Sequence, residues 1–318
     1  MTPRVTVIVP VKNEAKRIRA CLDSLISQTY DDYEIVVVDD GSTDGTVDII
    51  NSYIHEFPHK IRLLFSPSQG TGYAMNLGAK NARGDILIFI DGDDEVSSIF
   101  IEKVASCFRS PDVIGVRFGM IFHSQSNLWG CIQDAWRWIR WSKLVTRYIV
   151  AIKKQVYITL GGFNDKLTIG EDYDLNLKII EYARRHGLSI ASDPDAIYIC
   201  VSEGNLSEIF KHAFRFGSRL INTLKIHPKY GLQFLFWYAF NACFPVGFIL
   251  LFLSPCFIKI ISLIYVILYG ALWIIMISRA LAKHAPYKFL CILLMPIPQM
   301  IIGMGGLVGL FRALIKLP

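Results

Sequence analysis

Val5-Thr6-Val7-Ile8-Val9-Pro10-Val11 runs straight into Lys12-Asn13-Glu14. A short β-branched run that stops at a proline and a polar loop reads as a buried strand. The same pattern returns three times. Ile35-Val36-Val37-Val38 ends in Asp39-Asp40-Gly41-Ser42, Ile61 to Phe65 is a third strand, and Ile86 to Ile90 ends in Asp91-Gly92-Asp93-Asp94. Helical spacing fills the intervals. Ala15 to Ser27 places Ile18, Cys21, Leu22, Leu25 and Ile26 on one face; Thr46 to Phe57 and Gly72 to Ala82 follow, the latter with Ala74, Leu77 and Gly78 on one side. Strands alternating with helices imply β-α-β crossovers and an α/β fold with a mostly parallel sheet. Ligands of open α/β sheets sit beyond the carboxyl ends of the strands. Asn13-Glu14, Asp39-Asp40 and Asp91 to Asp94 are therefore expected to converge.

Hydrophobic residues make up 53% of the 318, and they are unevenly spread. From Leu232 to Ser278 the only charged side chain is Lys259, and Phe289 to Phe311 has none. About 20 uncharged apolar residues suffice to cross a hydrocarbon core. The expectation is a domain over 1–230 and a transmembrane domain over 231–318, with spans near 232–254, 257–278 and 289–311. Ser254-Pro255 breaks the first pair into a hairpin. Pro296-Ile297-Pro298 and Gly303 to Gly306 leave the last segment open between a third span and a broken, re-entrant helix.

Trp129, Trp136, Trp138 and Trp141 stand among Arg137, Arg140, Lys143, Arg147, Lys153 and Lys154. A basic, Trp-rich segment near 127–150 suits a lipid headgroup zone, and a second amphipathic segment near 206–225 has the same character. The alternative for the Trp-rich segment is a helix packed on the protein's own core. The net charge of +6 clusters near these segments, which points to a lipid bilayer and not to nucleic acid. Val5 to Val9 is too short and too β-branched for a signal peptide core, so the expected location is the cell membrane, multi-pass, with the N-terminal domain on the cytoplasmic face. The seven cysteines form no C-x-x-C pair, and neither a disulfide framework nor a zinc site is expected.

Three acidic groups carry the chemistry. Asp91 and Asp93, two positions apart at a strand end, can share a hard cation and the diphosphate attached to it. Asp39-Asp40-Gly41-Ser42 reads first as turn chemistry, and its functional reading is an acceptor for nucleobase N–H groups or ribose hydroxyls. Glu171-Asp172 precedes an apolar-rich helix, which suits either an N-terminal dipole partner or a general base.

Taken in order, Val7 to Glu14, Val36 to Thr46, Gly70 with Ala74, Asn76, Gly78, Ala82 and Gly84-Asp85, then Asp91 to Asp94, Gly161 to Asn164 and Gly170-Glu171-Asp172 resemble the family 2 glycosyltransferases over roughly residues 4 to 220. The resemblance extends to membrane-bound glycolipid mannosyltransferases and polyprenyl-phosphate sugar synthases. It implies a GT-A fold and inverting, metal-dependent transfer from a nucleotide-sugar donor, with Mn²⁺ or Mg²⁺ as cofactor. Carried over by position, Pro10, Val11 and Glu14 line the nucleoside pocket, and Asp40, with Asp39, contacts the base. Gly70 allows backbone approach to the donor. Asp91, beside Gly92, contacts ribose or metal, and Asp93 ligates the metal. Asp172 is the base, with Glu171 beside it. Processive members carry Q-x-x-R-W, whereas this chain has His212-Ala213-Phe214-Arg215-Phe216, keeping only the arginine. Addition of a single hexose is therefore expected. The first donor is GDP-mannose, with UDP-glucose and UDP-galactose behind it, and the acceptor is a hydroxyl of a membrane glycolipid. A polyprenyl phosphate is the alternative acceptor. It is already ionised and requires no base.

Overall fold

A computed structural model describes residues 4–124, 149, 151–167, 170–202, 206–253, 256–282 and 296–315. The chain divides into two compact units: Met1–Ile121 with Lys143–Val201, and Phe122–Ser142 with Ser202–Pro318.

The first unit is built on one eight-stranded sheet. Its strands are β1 (Val5–Val11), β2 (Tyr33–Asp39), β3 (Ile61–Phe65), β4 (Ile86–Phe89), β5 (Glu95–Val96), β6 (Val113–Ser124), β7 (Ala151–Lys153) and β8 (Ser189–Ser202). Their order is β3-β2-β1-β4-β7-β6-β8-β5. As the sequence implies, β1 pairs in parallel with β2 and β4, and β2 with β3. The other half adds antiparallel pairs, β4 with β7, β6 with β7 and β5 with β8.

Every residue of β1 and β2 is buried, as strands covered on both faces require. Alternate side chains feed opposite cores. Val5, Val7, Val9 and Val11 meet Cys21, Leu22 and Leu25 of α1 (Ile18–Ile26), Ile50 of α2 (Thr46–Glu56) and Phe100 of α4 (Phe100–Cys107). Ile8, Val36, Val38 and Phe89 meet Ala74 and Met75 of α3 (Thr71–Asn81), Tyr157 of α5 (Lys154–Thr159) and Ile179 of α6 (Glu171–His186). Gly78 lets α3 lie flat on this face, since a Cβ there would fall 2.5 Å from Ile8 Cγ2.

The second unit contains α7 (Leu206–Ile226), α8 (Pro228–Leu253), α9 (Cys256–Ala282) and α10 (Pro296–Ile315). Among the described residues no helix is long and apolar enough to cross a membrane, which corrects the expected spans near 232–254, 257–278 and 289–311. Polar positions interrupt the apolar pattern and turn inward: Asn241, Ser262 and Gln299 are buried. Tyr269 Oη donates to Asn241 Oδ1 at 3.2 Å, and Asn241 Nδ2 donates to the Trp237 carbonyl at 2.8 Å. The break between α8 and α9 falls where Ser254-Pro255 implied. α10 is one continuous helix and not a broken one, because its glycines form its packing surface. The expected interfacial helix near 206–225 corresponds to α7. The apolar face of α7 packs within the unit, where Leu220, Phe216 and Leu224 join Tyr238 and Leu310. The Trp-rich segment near 127–150, apart from buried Ile149, lies outside the described residues.

The contact between α7 and α10 is made backbone to backbone. A Cβ on Gly217 would land on the Gly306 carbonyl, and one on Gly309 would land on the Phe214 carbonyl. Gly217→Val should lower the thermal unfolding midpoint of the full chain, costing about 1–3 kcal/mol or more through overpacking. Gly270 faces open space, so Gly270→Ala should leave the midpoint unchanged or raise it. Equal behaviour of the two variants would show that this glycine seam does not hold the unit together.

Candidate active site

The loops beyond β1 and β2 are stitched to each other. Asn13, at φ 59°, donates its N–H to Ser42 Oγ at 2.9 Å and accepts from the Thr43 N–H at 2.8 Å. Glu14 N–H donates to Thr46 Oγ1 at 2.9 Å. The Asp39 carboxylate accepts from the Gly41 and Ser42 N–H groups, each at 3.1 Å, and so closes the turn. The buried Asp40 carboxylate accepts from the Gln69 N–H at 3.0 Å, the Gly70 N–H at 2.9 Å and the Ser66 hydroxyl, and pairs with Lys12 at 3.7 Å. It thereby fixes the Ser66–Gly70 loop and the start of α3. Gly70, at φ 98°, occupies the left-handed region that favours glycine, and nothing lies within 4 Å of where its Cβ would be.

Asp91 to Asp94 are held at the same end. A Cβ on Gly92 would lie 2.5 Å from Val11 Cγ1, so only glycine lets this turn press against β1. Asp94 is buried and accepts from the Val201 N–H at 3.0 Å. Asp91 donates its N–H to Tyr198 Oη at 3.2 Å. Asp93 pairs with Arg17 at 3.2 Å, and Arg17 also reaches Glu14 at 3.6 Å.

Glu171 and Asp172 open α6, where helix dipole and exposed N–H groups favour negative charge. The side chains of Asp91 and Asp172 keep a solvent-exposed surface, while burial by the surrounding protein acts on both carboxyl groups. That burial, followed by the charges of Asp94, Asp93, Asp172 and Glu171, holds the Asp91 carboxyl well above its ordinary range. Burial likewise raises Asp172 to about 6. The two acidic segments therefore lie within electrostatic reach of each other. Among the described residues no group of three histidine, cysteine or acidic side chains is arranged to hold an ion. Asp91 and Asp93 still fit a hard cation of the Mg²⁺ or Mn²⁺ kind, which takes one or two carboxylates and completes its shell with phosphate oxygens and water.

A side-chain amide positions the loop before Glu171. Asn76, on α3, donates from Nδ2 to the Phe163 carbonyl at 2.9 Å, and its Oδ1 accepts from the Phe163 N–H at 3.0 Å and the Tyr157 hydroxyl at 2.6 Å. Gly162, at φ 67°, leaves room for that amide.

The structure thus brings Pro10, Val11, Glu14, Asp39, Asp40, Gly70, Asp91, Gly92 and Asp93 to one end of the sheet, with Glu171 and Asp172 beside them. Arg17 and the positioning role of Asn76 escaped the sequence reading. Glu14 and Arg17 stand three apart at a helix start, which was a legible pairing signal. Asn76 was a polar residue beside the small positions Ala74 and Gly78.

A parallel nucleotide-type half-sheet with acidic loops at the strand ends defines a GT-A-like glycosyltransferase fold. Residues 6–160 match the family model for Glycosyl transferase family 2. An uncharacterized glycosyltransferase of Nostoc sp. is 36% identical over 113 residues, covering 36% of this chain and 35% of that protein. The chain thus spans about a third of that relative's length. The PGL/p-HBAD biosynthesis glycosyltransferase of Mycobacterium bovis is 29% identical over 178 residues, 55% of this chain and 69% of that one. Among solved structures, a mannosyltransferase from Pyrobaculum calidifontis in complex with GDP-Man and Mn²⁺ aligns with a TM-score of 0.55 and 20% identity, covering 96% of this chain and 88% of that one. That likeness extends to the fold.

Asn76→Ala should leave the Phe163 peptide groups and the Tyr157 hydroxyl short of a partner, a cost of about 1–3 kcal/mol. Amide hydrogen exchange over 161–164 should speed up while β1 stays protected. Unchanged exchange in that loop would remove Asn76 from its support.

Proposed function

We propose that this protein transfers one hexose, with inversion, from a nucleoside diphosphate sugar to a hydroxyl of a membrane glycolipid, using Mn²⁺ or Mg²⁺. The observation that carries the reading is the electrostatic proximity of Asp91 and Asp93, at the end of β4, to Glu171 and Asp172, at the start of α6. Pro10, Val11 and Glu14 form the nucleoside wall. Asp39 and Asp40 shape that wall through the turn and loop they hold. Gly70 offers backbone without a side chain where the donor passes. Asp91 and Asp93 would hold the cation, which when bound offsets the charge gathering on the diphosphate leaving group. Asp172 takes the proton of the acceptor hydroxyl as its oxygen bonds to the anomeric carbon and the bond to the diphosphate oxygen breaks. A carboxyl raised to about 6 is still ionised at neutral pH, and it is a better base than an ordinary aspartate. Glu171 stands beside it.

The lipid acceptor rests on the helical unit. α9 turns Ile260, Ile261, Ile264, Ile267 and Leu268 outward while Tyr269 and Trp273 are buried. A contiguous apolar surface of this kind suits a bilayer. We place this unit in the cell membrane and the catalytic unit on its cytoplasmic face. GDP-mannose is the first donor to test, followed by UDP-glucose and UDP-galactose.

Each donor should be assayed with native membrane lipid extract, and one should yield a lipid-linked product. Asp172→Asn should slow that transfer by about 10² to 10⁴-fold while donor binding stays nearly constant. A near-normal rate would favour a polyprenyl phosphate acceptor, which requires no base. Loss of donor binding would move Asp172 into the nucleotide pocket.

Asp93→Ala should abolish turnover and weaken nucleoside diphosphate binding in the presence of Mn²⁺. Full activity of the unaltered protein in excess chelator would refute the metal requirement.

A further inference from the structure

Arg17 joins the two halves of the donor site. Its Nη1 lies 3.2 Å from Asp93 Oδ2 and its Nε lies 3.6 Å from Glu14 Oε2. All three side chains are about one-quarter to one-third exposed, so the contacts are neither fully screened nor locked away. The residue is anchored where α1 begins, its N–H bonded to the Glu14 carbonyl at 2.9 Å. One permanently charged guanidinium therefore serves a carboxylate of the nucleoside loop and a carboxylate of the cation site.

A cation arriving alone meets two obstacles. It must compete with Arg17 for the oxygens of Asp93. It also finds no third acidic, histidine or cysteine ligand arranged for it among the described residues. A nucleoside diphosphate changes both conditions. Its oxygens complete the coordination shell. Its negative charge attracts the guanidinium, whose planar fork pairs with phosphate as readily as with carboxylate. We infer that Arg17 is a positioning residue that occupies Asp93 until the diphosphate draws it away, so that cation and donor bind as a synergistic pair. This rests on the placement of the cation at Asp91 and Asp93 proposed above.

The test measures binding, not turnover. The full chain is titrated with Mn²⁺, and the free aquo ion is followed by electron paramagnetic resonance, alone and with saturating UDP or GDP. For the unaltered protein Mn²⁺ alone should bind weakly, and the better of the two nucleotides should tighten it. Arg17→Gln should tighten Mn²⁺ alone by about two- to fivefold, the scale of a partly exposed ion pair, and should shrink the gain from nucleotide. Arg17→Lys keeps the charge and should behave nearly as the unaltered protein, which guards against an effect of misfolding. Mn²⁺ affinity that is unchanged or weaker in Arg17→Gln would overturn the inference. Asp93→Asn separates this from failure of the cation placement. If Asp93→Asn leaves Mn²⁺ binding intact with and without nucleotide, the placement itself is wrong. If Asp93→Asn weakens Mn²⁺ binding while Arg17→Gln does not improve it, only the role of Arg17 falls.

Discussion

β1 is buried on both faces and paired on both edges, and the rest of the catalytic unit is arranged by that constraint. A strand so placed can expose only its ends. Its alternate side chains supply both cores, so helices must cover both faces and every crossover must return the chain in parallel. The polar loops after β1, β2 and β4 are thereby forced to the same end of the sheet. β1 keeps its register with β2 through Val11↔Asp39, whereas its last register pair with β4 is Ile8↔Phe89. The turn carrying Asp91 and Asp93 therefore leaves the sheet earlier and folds back over Pro10 and Val11. Gly92 is the residue that permits this approach.

The same end of the sheet gathers more negative charge than it can hold without cost. Asp91 shows the strain most directly, with its carboxyl raised by burial and by four neighbouring acids. Some acids at the site are spent on architecture. Asp39 closes a turn, Asp40 pins the loop into α3, and Asp94 accepts from β8. Those engagements make the geometry stiff. Asp93 is paired with a guanidinium, that of Arg17. A bound divalent ion would relieve the repulsion that the fold leaves in place.

The parallel half of the sheet was legible because each of its strands is a β-branched run ended by turn residues, and periodicity carries that information locally. The antiparallel half was not. β5 has two residues and β7 has three, too few to show a period, and they exist because β8 and β4 offer them partners. β8 includes Ser192, Asp193, Pro194 and Asp195, a composition that reads as a loop. The acidic motifs were legible by type and position. What they do in the folded protein was only partly so. An aspartate before Gly-Ser can serve a turn or a ligand, and only the N–H groups of residues 41, 42, 69 and 70 decide how much of each carboxylate is already engaged. The interaction of Arg17 with Asp93 spans 76 positions and has no local signature.

The helical unit combines an apolar core, where Leu220, Tyr238 and Leu310 pack together, with a seam of small and polar residues. Glycines 217, 303, 305, 306 and 309 bring backbones together, and Asn241 and Gln299 are buried with them. Close backbone approach gains dispersion and hydrogen bonding, which do not depend on expelling water from the seam. The large apolar side chains of α9 are then left on the outside, where water would penalise them. The seam is held by close contact, and the outward apolar face of α9 is the feature on which the proposed lipid acceptor rests.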